Sequence, residues 1–227
     1  DLVIDGVTVV ASDESFKTSP HTAYTEMGTC GYQTQFLERY DSTAPEVGFA
    51  SPDFDDENWE NAQIHRYADH TLITQKSSML EFENIQPVNT TTYENRILYD
   101  FGSNYVGYLC VCAKGKNGDI VTVRCAQELN DDGTLRYNLR ANCTYEEEWI
   151  LSDGESFLDW FDYKSFRYAE LSVPANVEIL DVYFCVRHYP FVLKTQLKSD
   201  YAWNKELRDI WNLCVHTQKY GVQEVIQ

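Results

Sequence analysis

At 227 residues, with 43% apolar and 24% charged side chains, the chain has ample length to bury a core and the composition of an ordinary folded protein. Its 36 acidic and 18 basic residues leave a net charge of −18, which argues against a nucleic-acid partner, since a phosphate backbone needs a basic stripe, and against an anionic membrane surface. No run approaches the roughly 18 apolar residues of a membrane span, and the opening DLVIDGVTVV lacks the basic region of a secretory signal.

Taken in chain order, DLVIDGVTVV predicts two strands reversing across Asp5-Gly6. Up to residue 90 the pattern is irregular and punctuated by Pro20, Pro45, Pro52 and Pro87. SPDFDDENWENAQI reads as an acidic loop running into an apolar anchor at Trp59, and QKSSMLEFENIQPVNTTT as a strand followed by a connecting stretch. From Arg96 the signal sharpens. RILYDFG, YVGYLCVCAKG, DIVTVRCAQEL, YEEEWIL, FRYAELSV and EILDVYFCVRHYPFV are short β-rich runs separated by turn residues at Gly115, Gly118, Gly133 and Gly154, the last two in Asp-Gly pairs. Such a series without intervening helices predicts a mainly β fold. The expected architecture is an antiparallel jelly-roll-like β-sandwich over 89–194, preceded by a β-rich segment over 1–88 and followed by an α-helix within 195–227.

Two finer expectations follow. KGKNGD is read as closing a hairpin, with Lys114 opposite Asp119. Alternation then places Tyr108, Cys110, Cys112, Val121, Val123 and Cys125 on one face, and Leu109, Val111, Ala113 and Ile120 on the other. In the tail, Trp203, Leu207, Ile210, Trp211, Cys214 and Val215 recur as an amphipathic helical stripe, with Ser199 or Asp200 placed as N-cap. A lone helix with that stripe leaves apolar surface open, which predicts a covering partner or self-association.

Chemistry is hard to localise. The seven cysteines (Cys30, Cys110, Cys112, Cys125, Cys143, Cys185 and Cys214) are an odd number, mostly inside apolar runs, which suits free buried thiols and a reducing, cytoplasmic compartment. Cys110-x-Cys112 has the wrong spacing for a zinc pair and sits in a strand, so core packing is the better reading. DFDDEN around Asp55 has alternate carboxylates but lacks the glycine and distal glutamate of a calcium loop, so calcium has no specific motif behind it and a solvated turn is favoured. Glu146 to Glu148 read as a charged strand edge that discourages sheet-to-sheet pairing. The five histidines (His21, His65, His70, His188 and His216) belong to no nucleophile motif, and no phosphate or dinucleotide loop is present. Asn89 and Asn142 head glycosylation triplets, meaningful only in a eukaryotic secretory setting. Of the 32 aromatic residues most suit a core, although exposed Tyr or Trp rings also bind sugar faces, and a neutral sugar is compatible with the acidity. No residue is assigned as catalytic, as cofactor-binding or as a metal ligand, no cofactor is expected, and no substrate-binding residue is singled out.

The run YDFGSNYVGYLCVCAKGKNGDIVTVRCAQELNDDGTL, followed by LRANCTYEEEWILSDGESFLDWFDYKSFRYAEL, resembles the β-sandwich module that precedes the catalytic domain of bacterial α-L-rhamnosidases. The marks are Asp100-Phe101-Gly102 with Gly107 five residues on, Gln127-Glu128-Leu129 ahead of Asp132-Gly133, and Phe166-Arg167-Tyr168. Ser165 stands where the family usually has glycine, which predicts a less tight turn. PDFDDENWENA and LITQKSSMLEFENIQPV are similar to the end of the preceding lectin-like sandwich, and LKSDYAWNKELRDIWNLCVHTQKYGVQEVIQ to the first helix of the family's (α/α) six-hairpin barrel. The resemblance implies a glycoside hydrolase that removes terminal α-L-rhamnose by inversion, with one acid protonating the leaving oxygen and another activating water. It places those acids in the barrel, after a point where the family continues into an Asp-Cys-Pro-x-Arg-Glu segment, and assigns none to this chain. The expected role is therefore a non-catalytic accessory fragment whose partners are the helical catalytic domain and a rhamnose-containing glycan. The alternative is a stand-alone carbohydrate-binding or structural module.

Overall fold

A computed structural model describes residues 2–33, 35–64, 76–198 and 204–223. The strands run in chain order as β1 (Leu2–Ile4), β2 (Val7–Val10), β3 (Lys17–Thr18), β4 (Tyr24–Cys30), β5 (Gln35–Asp41), β6 (Glu60–Asn61), β7 (Glu81–Ile85) and β8 (Asn89–Thr92). They continue with β9 (Arg96–Gly115), β10 (Ile120–Ala126), β11 (Asn138–Leu139), β12 (Cys143–Thr144), β13 (Glu146–Ile150), β14 (Gly154–Phe157), β15 (Lys164–Ser172) and β16 (Glu178–His188). A single helix, α1 (Asn204–Gly221), closes the described chain. The mainly β expectation holds.

The chain forms two compact units, Asp1–Ala23 with Ala44–Gln75, and Tyr24–Thr43 with Lys76–Gln227. In the smaller unit, β1 and β2 form the predicted hairpin, and Asp5 and Gly6 both adopt positive φ (51° and 77°), as a tight two-residue turn requires. Trp59 anchors the acidic loop against Phe49 and Phe54, with ring centroids 6.4 and 5.4 Å away.

The larger unit is built on one sheet in the order β4-β5-β13-β10-β15-β9-β16-β7, with β8 and β14 also paired to β9. Its axis is β9. The first half of β9 pairs with β15 and the second with β16, and the two registers meet at one residue: Gly107 faces both Lys164 and Val186. A Cβ there would lie 2.1 Å from the Cys185 carbonyl oxygen, so only glycine lets the strands approach. Around it Phe166 of β15 and Phe184 of β16 stack at 4.0 Å with an interplanar angle of 3°, and Phe101 meets both edge-on. All three rings are buried. The sandwich interior extends from this trio through Val121, Val123, Trp149 and Leu171 to Leu109, Val111 and Val182.

Three expectations are corrected. The KGKNGD turn exists, with Gly118 at φ 87° and the Lys116 N–H donating to Asp119 Oδ2 at 2.8 Å. However, β9 and β10 do not pair across it, because β15 lies between them. The faces change accordingly: Leu109, Val111 and Ala113 share the buried interior with Val121, Val123 and Cys125, whereas Cys110 and Cys112 are half-buried and Ile120 is exposed. Second, Glu146 to Glu148 lie on no edge, since β13 is flanked by β10 and by β5. Each glutamate meets a cation from elsewhere: Glu146 meets Arg124, Glu147 meets Lys164 and Glu148 meets Arg39. Third, the stretch expected to connect after β7 contains β8, which pairs with β9 over Thr92↔Ile97 to Asn89↔Asp100. The strands β4 and β5 also join the large sheet, β5 running parallel to β13.

The close approach at Gly107 gives a direct test. Gly107→Ala should destabilise the fold by at least about 2 kcal/mol, because backbone must move. Gly118→Ala, with nothing within 4 Å of its Cβ but a left-handed φ of 87°, should lose only about 1 kcal/mol. Urea unfolding midpoints of the two variants check the difference.

Candidate functional site: the seam under the terminal helix

Among the described residues no group of three His, Cys, Asp or Glu could hold a metal ion. The resemblance marks turn out to be structural. Arg167 donates through Nε and Nη2 to the two oxygens of Asp100, each at 2.8 Å, and the Gly102 N–H donates to the same carboxylate at 2.7 Å. The bidentate pair ties the Asp-Phe-Gly stretch to the Phe-Arg-Tyr triplet. It also holds the Asp100 carboxyl below the usual range, the Arg167 hydrogen bond being the main cause.

Other candidates have bland environments. Cys110 lies beside Tyr183 and Cys185 on β16, and burial pushes its thiol up to about 11, which makes it a poor nucleophile or ligand. Asp55 accepts the Glu57 N–H at 3.0 Å and caps a turn. Asn142 donates Nδ2 to the Thr29 carbonyl at 3.0 Å. His21 packs edge-on against Phe49. His65 and His70 lie outside the described residues, as do Ser199, Asp200 and Trp203.

What the structure does assemble is a seam between α1 and the strands β7, β9 and β16. His216 Nε2 donates to the Asn104 carbonyl at 2.8 Å and lies 3.1 Å from Ser103 Oγ. Lys219 pairs with Glu83 of β7, and the Tyr220 hydroxyl donates to the same carboxylate at 3.3 Å. His188 of β16 presents Nε2 to Glu83 at 2.8 Å and Nδ1 to the Tyr189 carbonyl at 2.8 Å. Gln223, buried just past the helix, donates Nε2 to the Tyr220 carbonyl at 3.1 Å. His216, Lys219 and Tyr220 follow the i, i+3, i+4 spacing of one helical face. The Tyr220 ring packs edge-on against Tyr105 and His188 with centroids at 5.0 and 5.6 Å.

The predicted stripe is only partly this face. Leu207, Trp211 and Val215 are half-buried, but Ile210 is 59% and Leu213 65% exposed, and Cys214 is exposed. Sequence reasoning tracked apolar period and missed that the last two turns dock through polar groups. The signal available was the spacing of His216, Lys219 and Tyr220. A cavity of about 410 Å³ opens beside the seam, lined by Asn104, Gln127, Ser165, His216 and Thr217 among others. No helix among the described residues is long and apolar enough to cross a membrane.

Glu83 is the hub. The hydrogen bond from Lys219 does most to hold its carboxyl below the usual range, while partial burial opposes it. A carboxyl lowered in the folded state adds stability above its ordinary value, near pH 4.3, and loses it as pH falls through the lowered one. Acidification below about pH 4 should therefore loosen α1 first, seen as faster amide exchange in residues 207–221 than in β9 and β10. At neutral pH a Glu83→Gln, Lys219→Met double-mutant cycle should give a coupling of about 1 kcal/mol or less, since the pair is partly exposed.

A family model for the bacterial alpha-L-rhamnosidase concanavalin-like domain matches residues 90–188. Among curated proteins, the alpha-L-rhamnosidase of Alteromonas sp. (strain LOR) is 27% identical over 140 residues, covering 60% of this chain and 15% of that protein. The alpha-L-rhamnosidase of Streptomyces avermitilis is 29% identical over 143 residues, covering 60% and 14%. This chain thus spans about 15% of the length of the curated relatives it matches. Among solved structures, the alpha-L-rhamnosidase from Dictyoglumus thermophilum aligns with a TM-score of 0.69 at 23% identity, over 96% of this chain and 24% of that one. The Streptomyces avermitilis alpha-L-rhamnosidase complexed with L-rhamnose aligns with a TM-score of 0.65 at 24% identity, over 84% and 19%. At these identities the structures show a shared fold.

Proposed function

We propose, taking residues 90–188 as the concanavalin-like domain of a bacterial α-L-rhamnosidase, that this chain is the non-catalytic accessory region of an enzyme that removes terminal α-L-rhamnose from glycosides. The family match over those residues carries the reading. The division into 1–88, the tail of a lectin-like sandwich, 89–194, the supporting sandwich, and 195–227, the entry to a helical catalytic domain, is part of the same proposal. In it the catalytic acids belong to the helical domain and none is assigned here.

The seam supplies the mechanical side. Glu83, His188 and Asn104 fix α1 by its C-terminal half, so the helix is held while Ile210, Leu213 and Cys214 face outward. A row of apolar side chains on a rigidly held helix suits packing against further helices. The sandwich then acts as a base that sets the angle of that helix, and its loops contribute to the rim of the sugar pocket.

Two measurements test this. The 227-residue chain should release no detectable rhamnose from an aryl α-L-rhamnoside, and release that scales with chain concentration overturns the reading. The outward helix face should also drive self-association, with light scattering giving a mass above 26.3 kDa. Leu213→Asp should return it to that value, and a monomeric mass at high concentration counts against an adhesive helix face.

A further inference from the structure

A second cavity, of about 390 Å³, is lined by Tyr24, Tyr108, Asp159, Trp160 and Phe161 among others. Its aromatic side chains come from three places: the start of β4, the second half of β9 and the loop between β14 and β15. Phe161 is 79% exposed, an open position for a phenyl ring, yet its loop is firmly held. The N–H groups of Phe161 and Asp162 donate to Glu38 at 3.0 and 2.8 Å. Gln35 donates to Asp162 at 2.8 Å, and the Leu158 N–H donates to the Val111 carbonyl at 2.9 Å. Glu38 is itself buried, so water competes poorly for this clamp. The exposed ring is thus presented in advance on a fixed loop, the arrangement that lowers the ordering cost of binding.

Rings beside a carboxylate attract either a cation or a sugar, and the neighbouring charges decide between them. Lys164 Nζ lies 5.4 Å over the Trp160 ring. Arg187 stacks on Tyr163 at 4.0 Å and donates to the Tyr108 hydroxyl at 3.3 Å. Trp160 and Tyr108 are therefore already engaged by cations, Lys164 being itself paired with Glu147, so a cationic ligand would find these rings occupied. An anion would meet Asp159 and a chain of net charge −18. A neutral ring with one C–H face and several hydroxyls suits what remains. Its C–H face would lie on Phe161 and its hydroxyls would donate to Asp159, the hydrogen-bond partner of Tyr24. The volume lies in the range of small-molecule sites. We propose that this cleft binds a neutral pyranose ring, giving the sandwich a hold on glycan. The proposal stands on the cleft's own walls and goes beyond the supporting role above.

Calorimetric and NMR titration of the 227-residue chain with L-rhamnose and with methyl α-D-glucopyranoside tests it. At least one ring should bind saturably with a Kd on the order of 1 mM, shifting resonances of residues 158–162. Choline and glucuronate should give no saturable response. Phe161→Ala should weaken binding about tenfold, and Asp159→Asn about threefold. Both side chains are exposed, so the unfolding midpoint should stay put. The absence of saturation by either neutral ring up to about 50 mM, undiminished binding by Phe161→Ala, or a preference for choline would overturn the proposal. None of these outcomes bears on whether the chain supports a catalytic domain.

Discussion

Phe166 and Phe184 can stack only because Gly107 carries no side chain. Two strands that never pair with each other, β15 and β16, are brought to opposite edges of β9 at that residue. Parallel rings 4.0 Å apart bury a large apolar area and fix both strands in rotation about their own axes. Everything beyond follows from that alignment. It sets which faces of β9 and β10 are buried, and it places Arg167 where its fork reaches Asp100. It also carries β16, with His188 at its end, to the position from which Glu83 and α1 are organised.

Polar groups supply the second level of order. The large sheet contains several nearly buried ions, yet each has compensation. Glu170 takes Arg96 and Arg124, Glu147 takes Lys164 and the Glu38 N–H, and Glu38 takes two loop amides. Buried ion pairs add little net stability over apolar packing, but removing one partner is strongly destabilising. They therefore act as register pins. An interior strand reading Glu-Glu-Glu tolerates only the alignment in which Arg124, Lys164 and Arg39 all arrive opposite it.

Much of this was legible in the residues alone. The Asp-Gly turns, the strands from Arg96 onward and the closing helix follow from local turn chemistry and side-chain period, and both are local properties. The separation of β9 from β10 was not legible, because KGKNGD dictates a reversal of the chain but cannot exclude a third strand from entering between the arms. That strand, β15, starts 49 residues beyond Gly115. The glutamate run misled for the same reason: its cations come from other strands, so composition resembled an edge. The helix docks through His216, Lys219 and Tyr220, and hydrophobic period is blind to polar docking. As for the aromatic cleft, Trp160 and Phe161 were visible as residues, but only the fold shows that a buried carboxylate clamps the loop bearing them.

The parallel pairing of β5 with β13 bears on biogenesis. Arg39 and its partner Glu148 are separated by 109 positions, so a ribosome delivers one strand long before the other exists. Until then β5 emerges with only β4 beside it, offering a bare ladder of amides and carbonyls to any neighbouring nascent chain. Glu38 and Arg39 sit at the centre of that ladder. Their charges make premature pairing with an apolar stranger unfavourable, as gatekeeper residues do. Once Glu148 and the loop amides at Phe161 and Asp162 are made, the same two side chains become the ties that close the sheet.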